Sequence, residues 1–370
     1  MGSRATPRIV YVLPEYDENT GSHFFHLYEL VRRAAGVLDL LVVIEGARGD
    51  PRGLAASYYR QRFSWPPLRF LELLAVLIRE RIRGCRNFYV HYSFYGAITA
   101  WSVARTLGGR VFYWNSGEPW KYARPRLEET VFRFILRHTI LVTNPPGLAE
   151  EYRQRYRLRP DRIRILPHFI EVARFQAPGT REQARPKLGL REDAKIVLFV
   201  HRLSRRKGAH LLSEIAAAVI KLERRAMFIV VGDGPEKKNL ESRIKNQGLE
   251  PYVRLVGEVP QRDIVPYFHA ADVFLLPSEE EGFPHVLLEA AAAGVPFVAA
   301  DVGGIREMLP PALNHWLAPS GDVGIFSSKL LELLVLPQSD LERVAPAVQV
   351  WVQQYDIDAV LSGFVGLFRS

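Results

Sequence analysis

Short, nearly continuous apolar runs recur along the chain, and between them apolar residues fall three or four positions apart. The short runs predict strands buried on both faces, and the spaced pattern predicts amphipathic helices. Alternation of the two predicts βαβ units and parallel sheets. In the first half the expected strands are Arg8–Leu13, Leu38–Ile44, Asn87–His91, Arg110–Trp114, Ile140–Thr143 and Ile163–Leu166. Helices are expected at Ser22–Arg33, Leu68–Arg83, Ala97–Leu107, Leu127–Arg137 and Gly147–Tyr156. Pro178, Gly179, Pro186 and Gly189 then interrupt the pattern, so residues 171–194 read as a linker. The alternation restarts with strands at Lys195–Val200, Met227–Val231, Val253–Val256, Val273–Leu276 and Pro296–Ala299. Helices Ala209–Leu222, Lys237–Asn246, Ile264–Ala270 and His285–Ala293 separate them, and the chain from Val323 onward reads as largely helical. The expected fold class is α/β: two doubly wound domains, 1–170 and 195–350, facing across a cleft. A last helical segment, 351–370, is expected to cross back to the first domain. Ligands of such sheets bind beyond the carboxyl ends of the strands.

A length of 370 residues suits two domains of ordinary size. The single cysteine, Cys85, excludes a disulfide framework and any multi-cysteine metal site, and it fits a cytoplasmic protein. No apolar run approaches the ~18 residues of a membrane span, and the N-terminus lacks a signal-peptide pattern. Charge changes the picture more. Residues 1–170 carry 26 Lys and Arg against 15 Asp and Glu, whereas the remaining residues carry 23 against 25. The whole positive excess lies in the first half, and the stretch 52–86 alone has eight arginines and two acids. A basic face calls for an anionic partner: a membrane surface, nucleic acid or a phosphorylated substrate. No helix-turn-helix or zinc-finger signature supports nucleic acid.

Chemistry concentrates after the strand Val273–Leu276, in the run from Pro277 through Glu281, Gly282, Phe283 and Pro284 to Glu289. The helix carrying Glu289 is apolar on every face from Val286 to Ala293, so it should be buried. A carboxylate there is costly unless it is hydrogen-bonded. A vicinal diol such as a ribose would satisfy it, as would a backbone or arginine partner. Glu281 falls in the loop at the carboxyl end of the sheet, just before a helix start whose free N–H groups favour anionic ligands. A second segment follows Lys195–Val200: His201, Arg202, Leu203, Ser204, Arg205, Arg206, Lys207 and Gly208. Two cations at a strand's carboxyl end, then a glycine and a helix start, make a reasonable diphosphate site.

These two segments resemble the family-4 glycosyltransferases of the GT-B superfamily. Glu281 and Glu289 stand as their E-x7-E pattern within P-S-x-x-E-G-F-P-x-x-x-x-E-A, and Arg202 and Lys207 match G-R-L-x-x-x-K-G, with His201 in place of the usual glycine. Gly303-Gly304 matches the family's glycine turn, Val230–Pro235 resembles its G-D-G-P element, and Leu255–Val259 resembles the segment that meets the nucleotide base through its backbone. The resemblance implies two Rossmann-like domains, an N-terminal acceptor side and a C-terminal nucleotide-sugar-binding side. It also implies that Glu281 contacts the donor sugar and Glu289 holds the ribose. Gly282, Phe283 and Pro284 then present backbone groups to the sugar, while Arg202 and Lys207 neutralise the diphosphate. Gly232 and Val259 join the donor site. Gly21, in the loop Asn19–His23, is the candidate glycine against the phosphates from the first domain.

The implied reaction is transfer of a sugar from a nucleotide-diphosphate sugar to an acceptor hydroxyl with retention, without cofactor or metal. Asp356-Ile357-Asp358 spells a metal-binding D-x-D but reads as a helix start. Where many family members carry a catalytic-site histidine, this chain has Asn115, which can hydrogen-bond a hydroxyl but cannot shuttle a proton. His91, Glu118 and His23 are candidate local substitutes that read equally as structural residues, and Ile165-Leu166-Pro167-His168-Phe169 departs from the family's Pro-Asn-Gly turn. The acceptor side reads as glycan or lipid-linked. Aromatics and arginines flank the apolar helix within 58–83, which suits either a protein lying on an anionic cytoplasmic membrane face or a helix packed on its own sheet. Other readings are a catalytically silent nucleotide-sugar-binding module and another GT-B enzyme, such as a nucleotide-sugar epimerase or a phosphorylase.

Overall fold

The computed structural model describes residues 7–18, 20, 24–55, 57–176, 181–336 and 348–369. The chain divides into two compact units: the first holds the chain up to Pro167 together with Val360 onward, the second His168–Ala359.

In the first unit the elements run β1 (Arg8–Leu13), β2 (Tyr16–Asp17), α1 (Phe24–Val37), β3 (Asp39–Ile44), β4 (Ala47–Arg48) and β5 (Ser57–Arg60). After these come α2 (Pro66–Ile82), β6 (Asn87–His91), α3 (Phe94–Leu107), β7 (Arg110–Trp114), α4 (Arg126–His138), β8 (Ile140–Thr143), α5 (Pro146–Tyr156) and β9 (Ile163–Ile165). Seven strands form one sheet in the order β5-β3-β1-β6-β7-β8-β9, each neighbour parallel, while β2 and β4 pair separately. Order reverses beside β1, the place where doubly wound sheets direct their loops to a ligand. The central strands are buried because their residues are apolar on both faces: Ile9–Leu13 and Phe88–Val90 are essentially inaccessible. β5, which the apolar pattern did not predict, is a mostly exposed edge strand of sequence Ser-Tyr-Tyr-Arg.

The second unit begins with α6 (Val172–Gln176) and α7 (Arg181–Lys187), so the described part of the stretch expected as a linker includes two helices. Val172, Phe175 and Ala184 enter the core of this unit, and buried Arg185 donates to Asp272 at 2.7 Å. Then follow β10 (Lys195–Val200), α8 (Leu212–Leu222), β11 (Ala226–Val231), α9 (Lys237–Asn246), β12 (Val253–Gly257), α10 (Val265–Ala270) and β13 (Val273–Leu276). Next are α11 (His285–Ala292), β14 (Phe297–Ala300), α12 (Ile305–Met308), β15 (Leu317–Ala318) and α13 (Val323–Val335). Six parallel strands take the order β12-β11-β10-β13-β14-β15. The switch of direction falls between β10 and β13, and the two motif-bearing loops leave these two strands.

The final helix, α14 (Ile357–Arg369), starts at Asp356, whose Oδ1 accepts the Asp358 N–H at 2.9 Å and whose Oδ2 accepts the Val172 N–H at 3.1 Å. Both carboxylate oxygens therefore serve a helix start and a neighbouring segment. Phe364 and Phe368 of α14 pack on Tyr89, and Phe368 also packs on Phe112. Arg110 donates to the Phe368 carbonyl at 3.0 Å.

Candidate functional site

Adjacent parallel strands β10 and β13 end side by side, so the loops that follow them meet. His201–Gly208 leaves β10, and Pro277–Pro284 leaves β13. Glycine makes the approach close enough. A Cβ on Gly208, whose φ is 72°, would lie 2.0 Å from the Pro277 carbonyl oxygen. One on Gly303, after β14, would lie 1.6 Å from the Glu281 carbonyl oxygen. Only glycine tolerates both the left-handed backbone and the contact.

The loops join through charge. Lys207 Nζ lies 2.7 Å from Glu281 Oε1, with both side chains less than a tenth exposed. Ser278 Oγ donates to the same oxygen at 2.8 Å. His201 accepts the Arg202 N–H on Nδ1 at 2.8 Å, which leaves the ring proton on Nε2, 3.5 Å from Glu281 Oε1. Burial alone would raise the Glu281 carboxyl. The His201 ring and the Lys207 ammonium outweigh it and hold the group down to about 2. Burial dominates for the two partners: it lowers both His201 and Lys207 from their ordinary values, with Glu281 opposing. The centre is a buried carboxylate–ammonium pair beside a neutral imidazole. Arg202, by contrast, is exposed and makes no ion pair among the described residues. Its guanidinium stands at the rim of the same loop.

Glu289 sits on α11, whose residues Leu287–Ala292 are all buried. Its Oε1 accepts a hydrogen bond from Gln261 Nε2. Gln261 opens the turn after β12 and follows Val259 by two residues, so the loop after β12 and the Glu289 carboxylate come together through this amide. Gly232, at the end of β11, donates its N–H to the Gly257 carbonyl at 2.7 Å, tying the third and fourth loops. Gly282 is half-buried, whereas Phe283 and Pro284 are buried. The Phe283 ring stacks on His168, with centroids 4.9 Å apart and planes at 14°. His168 is the departure from the family's turn noted above, and here it packs on the very loop that carries Glu281. Arg202, Lys207, Gly232, Val259, Glu281, Gly282, Phe283, Pro284 and Glu289 thus lie at the carboxyl edge of one sheet or on the helix behind it. Ser278, Gln261 and His168 complete the set. Ser278 and Gln261 were not singled out because a lone polar residue in a loop carries no periodic signal; Gln261 meets Glu289 only through the fold, and His168 was noted as a departure without a role.

Of the two remaining candidates, one is not described and one lies in the first unit. Gly21, with Asn19, Ser22 and His23, lies outside the described residues. Asn115 lies in the first unit at the end of β7, buried. Its Oδ1 accepts from the Gly117 N–H at 3.1 Å and from the Tyr152 hydroxyl at 2.8 Å, and its Nδ2 lies 3.4 Å from the Tyr113 hydroxyl. A backbone N–H can only donate, so the amide orientation is set and its oxygen is used internally. His91 is likewise embedded: its ring stacks on Trp114 at 5.7 Å and meets the Tyr11 hydroxyl at 3.2 Å. Glu118 pairs with Lys121 at 2.8 Å.

Residues 180–347 match the family described as glycosyl transferases group 1. A D-inositol 3-phosphate glycosyltransferase from Acidothermus cellulolyticus is 32% identical over 239 residues, 62% of this chain and 53% of the relative. The chain spans about half the length of the curated relatives it matches. Among solved structures, Anabaena HepE in complex with UDP and glucose superposes with a TM-score of 0.80 at 18% identity, covering 98% of this chain and 99% of that one. WaaG, a glycosyltransferase involved in lipopolysaccharide biosynthesis, does so at 0.73 and 19% identity, covering 97% and 99%. The chain has the fold of GT-B glycosyltransferases with two Rossmann-like domains, and the loops around Glu281 and Lys207 lie within the stretch that matches the glycosyl transferases group 1 family.

Proposed function

We propose that this chain is a retaining family-4 glycosyltransferase that moves a sugar from a nucleotide-diphosphate sugar to an acceptor hydroxyl. The observation that carries the reading is the buried Lys207–Glu281 pair at the switch of the second sheet, with Arg202 exposed beside it and Glu289 on the helix behind. A diphosphate approaching these loops offers two negative charges to Lys207 and Arg202, and charge-assisted contacts of this kind stabilise a leaving phosphate without a metal. Glu281, ionised because Lys207 and His201 hold it so, contributes a fixed acceptor for sugar hydroxyls. Glu289 accepts from the ribose diol, with Gln261 orienting it. The leaving phosphate is itself a base for the incoming hydroxyl on the same face, which yields retention. In support, HepE is described in complex with UDP and glucose, and the matched relatives are glycosyltransferases.

The acceptor is a growing surface glycan or a lipid-linked sugar, met at the cytoplasmic membrane face. The basic excess of residues 1–170 supports an anionic surface. Among the described residues no helix is long and apolar enough to cross a membrane. A second reading, a silent nucleotide-sugar-binding module, draws support from Asn115, which cannot move a proton and whose amide is engaged within its own unit.

Thermal shift against a panel of nucleotide sugars and nucleoside diphosphates tests the proposal, because a ligand bound to the folded state raises apparent stability. Glu289→Gln should weaken nucleoside diphosphate binding; Glu281→Gln should spare it and depress turnover. Equal behaviour of the two variants would overturn that division, and donor binding without transfer to any acceptor would leave the silent module standing.

A further inference from the structure

The outward face of α2 is apolar where a solvent-facing helix should be polar. Beyond the two exposed prolines that open α2, its exposed positions are Leu68, Leu71, Ala75, Arg79 and Ile82, a single stripe at helical spacing. The inward face, Leu73, Val76 and Leu77, enters the core of its own unit, so the stripe is surplus to folding. The segment before the helix extends it: residues 62–68 are exposed without a break and include Phe63 and Trp65, stiffened by Pro66 and Pro67. Trp65 is 61% exposed, Leu71 58% and Ile82 77%. Of the fourteen large apolar side chains exposed among the described residues, six (Tyr58, Phe63, Trp65, Leu68, Leu71 and Ile82) lie within residues 58–82. Such clustering marks an interaction surface; scattered exposure would not.

We infer that this face is a membrane-insertion surface: Phe63 and Trp65 enter the headgroup region of an anionic bilayer and α2 lies along it, its stripe about 21 Å long from Leu68 to Ile82 at 1.5 Å rise per residue. The occupant follows from charge. Residues 57–86 hold seven arginines and two glutamates. Both acids face inward: Glu80 is buried under Arg8, Arg79 and Arg83, and Glu72 accepts from the Tyr59 hydroxyl and the Arg62 N–H. What remains outward is a strip of apolar and aromatic side chains with arginines at both ends, the arrangement that fits lipid headgroups over acyl chains. The inference rests on the membrane placement proposed above but changes its cause. Arg60 donates to the Ala47 carbonyl, Arg81 to the Gly108 carbonyl, and Arg69 lies against Glu45, so fewer arginine heads are free to reach lipid than the sequence count suggests. Apolar insertion carries the attachment, and charge selects the anionic surface.

Flotation of the full chain with phosphatidylcholine vesicles, with and without phosphatidylglycerol, tests this. The wild type should float with the anionic vesicles, and raising salt from about 0.1 M to 1 M should weaken but not abolish the association, although the Debye length falls to about 3 Å. Trp65→Ser and Leu71→Ser should each reduce partitioning by about tenfold, the expectation for losing one inserted large apolar side chain. Being exposed, both changes should leave thermal stability and donor-induced thermal shift as in the wild type. Unchanged partitioning of both variants, with loss on Arg60→Gln and Arg62→Gln instead, would overturn insertion and leave an electrostatic membrane contact. No flotation of the wild type would overturn the membrane placement as well, while donor binding would still test the transferase reading separately. A concentration-dependent dimer in solution that Trp65→Ser disperses would assign the strip to a second copy of the chain and overturn the proposal.

Discussion

Each sheet carries a glutamate beyond a strand's carboxyl end, and the surroundings shift the two carboxyls in opposite directions. In the first unit Glu45 follows β3. Burial raises its carboxyl, because the Ser93 hydroxyl at 2.5 Å and the Arg69 guanidinium at 3.6 Å do not compensate. In the second unit Glu281 follows β13 and is held down to about 2, with the His201 ring and an ammonium at 2.7 Å overcoming burial. The difference is one of commitment. The loops of the second sheet assemble full charges at close range and lock them with glycines. The carboxyl ends of the first sheet are finished with neutral hydrogen bonds and stacked rings around Asn115, Tyr152, His91 and Trp114. A surface built on fixed charge suits an anionic ligand, as the proposed function requires of the second unit.

The strongest way to break this comparison is Lys207→Ala. Removing one partner of a buried pair strands the other, so stability should fall by about 3–5 kcal/mol in urea unfolding. A loss below ~1 kcal/mol would mean that Glu281 is not held as an ion. Arg202→Ala sharpens the contrast within the same loop. This exposed residue should cost under ~0.5 kcal/mol of stability yet weaken nucleoside diphosphate binding by about 1.5–3 kcal/mol, read by titration calorimetry. Normal affinity would remove Arg202 from the donor site. Across the comparison, Asn115→Ala should destabilise the first unit by about 1–3 kcal/mol, since Tyr152 and the Gly117 N–H lose a buried partner, and should leave nucleoside diphosphate affinity unchanged.

The smallest expected effect concerns pH. Folded Glu45 binds its proton more readily than the unfolded chain, so its contribution to stability is greatest in acid and is lost as pH rises through its raised pKa. Glu281 works the other way: its contribution is present above the ordinary carboxylate value and is lost as pH falls toward about 2. His201, held below its ordinary value, also withdraws stability as pH falls from about 6.5. Glu45→Gln should therefore stabilise the protein near neutral pH, the gain fading on acidification. A gain that grew toward acid pH would show that the folded surroundings of Glu45 favour its ionised form instead.

How much of this was legible beforehand depended on burial. Strands such as Ile9–Leu13 and Val273–Leu276 announce themselves because a parallel sheet covered on both faces needs an unbroken apolar run. β5 did not, because an exposed edge strand needs none. The helix of 66–82 was expected, but not which of its apolar residues would face outward: Leu68, Leu71 and Ile82 are chemically the same as Leu73 and Leu77. In the site, Glu281, Glu289, Arg202 and Lys207 stood out because the segments that carry them resemble family-4 motifs in the same order; a basic loop or a glutamate pair alone reads as readily as solvated surface.

By itself the sequence determined the parallel α/β architecture, the order of its elements and the identity of the charged and glycine positions, all of which are local in the chain. Tertiary structure decided which of them meet. Parallel neighbours β10 and β13 are separated in sequence by two strands and their crossovers, so only sheet order places Lys207 on Glu281 and leaves Arg202 at the rim. The same holds for Gln261 on Glu289, 28 residues away, and for Trp65, which is exposed because no other element covers the start of α2. Proximity between distant residues, and the burial that sets a charge's energy, are properties of packing, and the local pattern of a chain does not contain them.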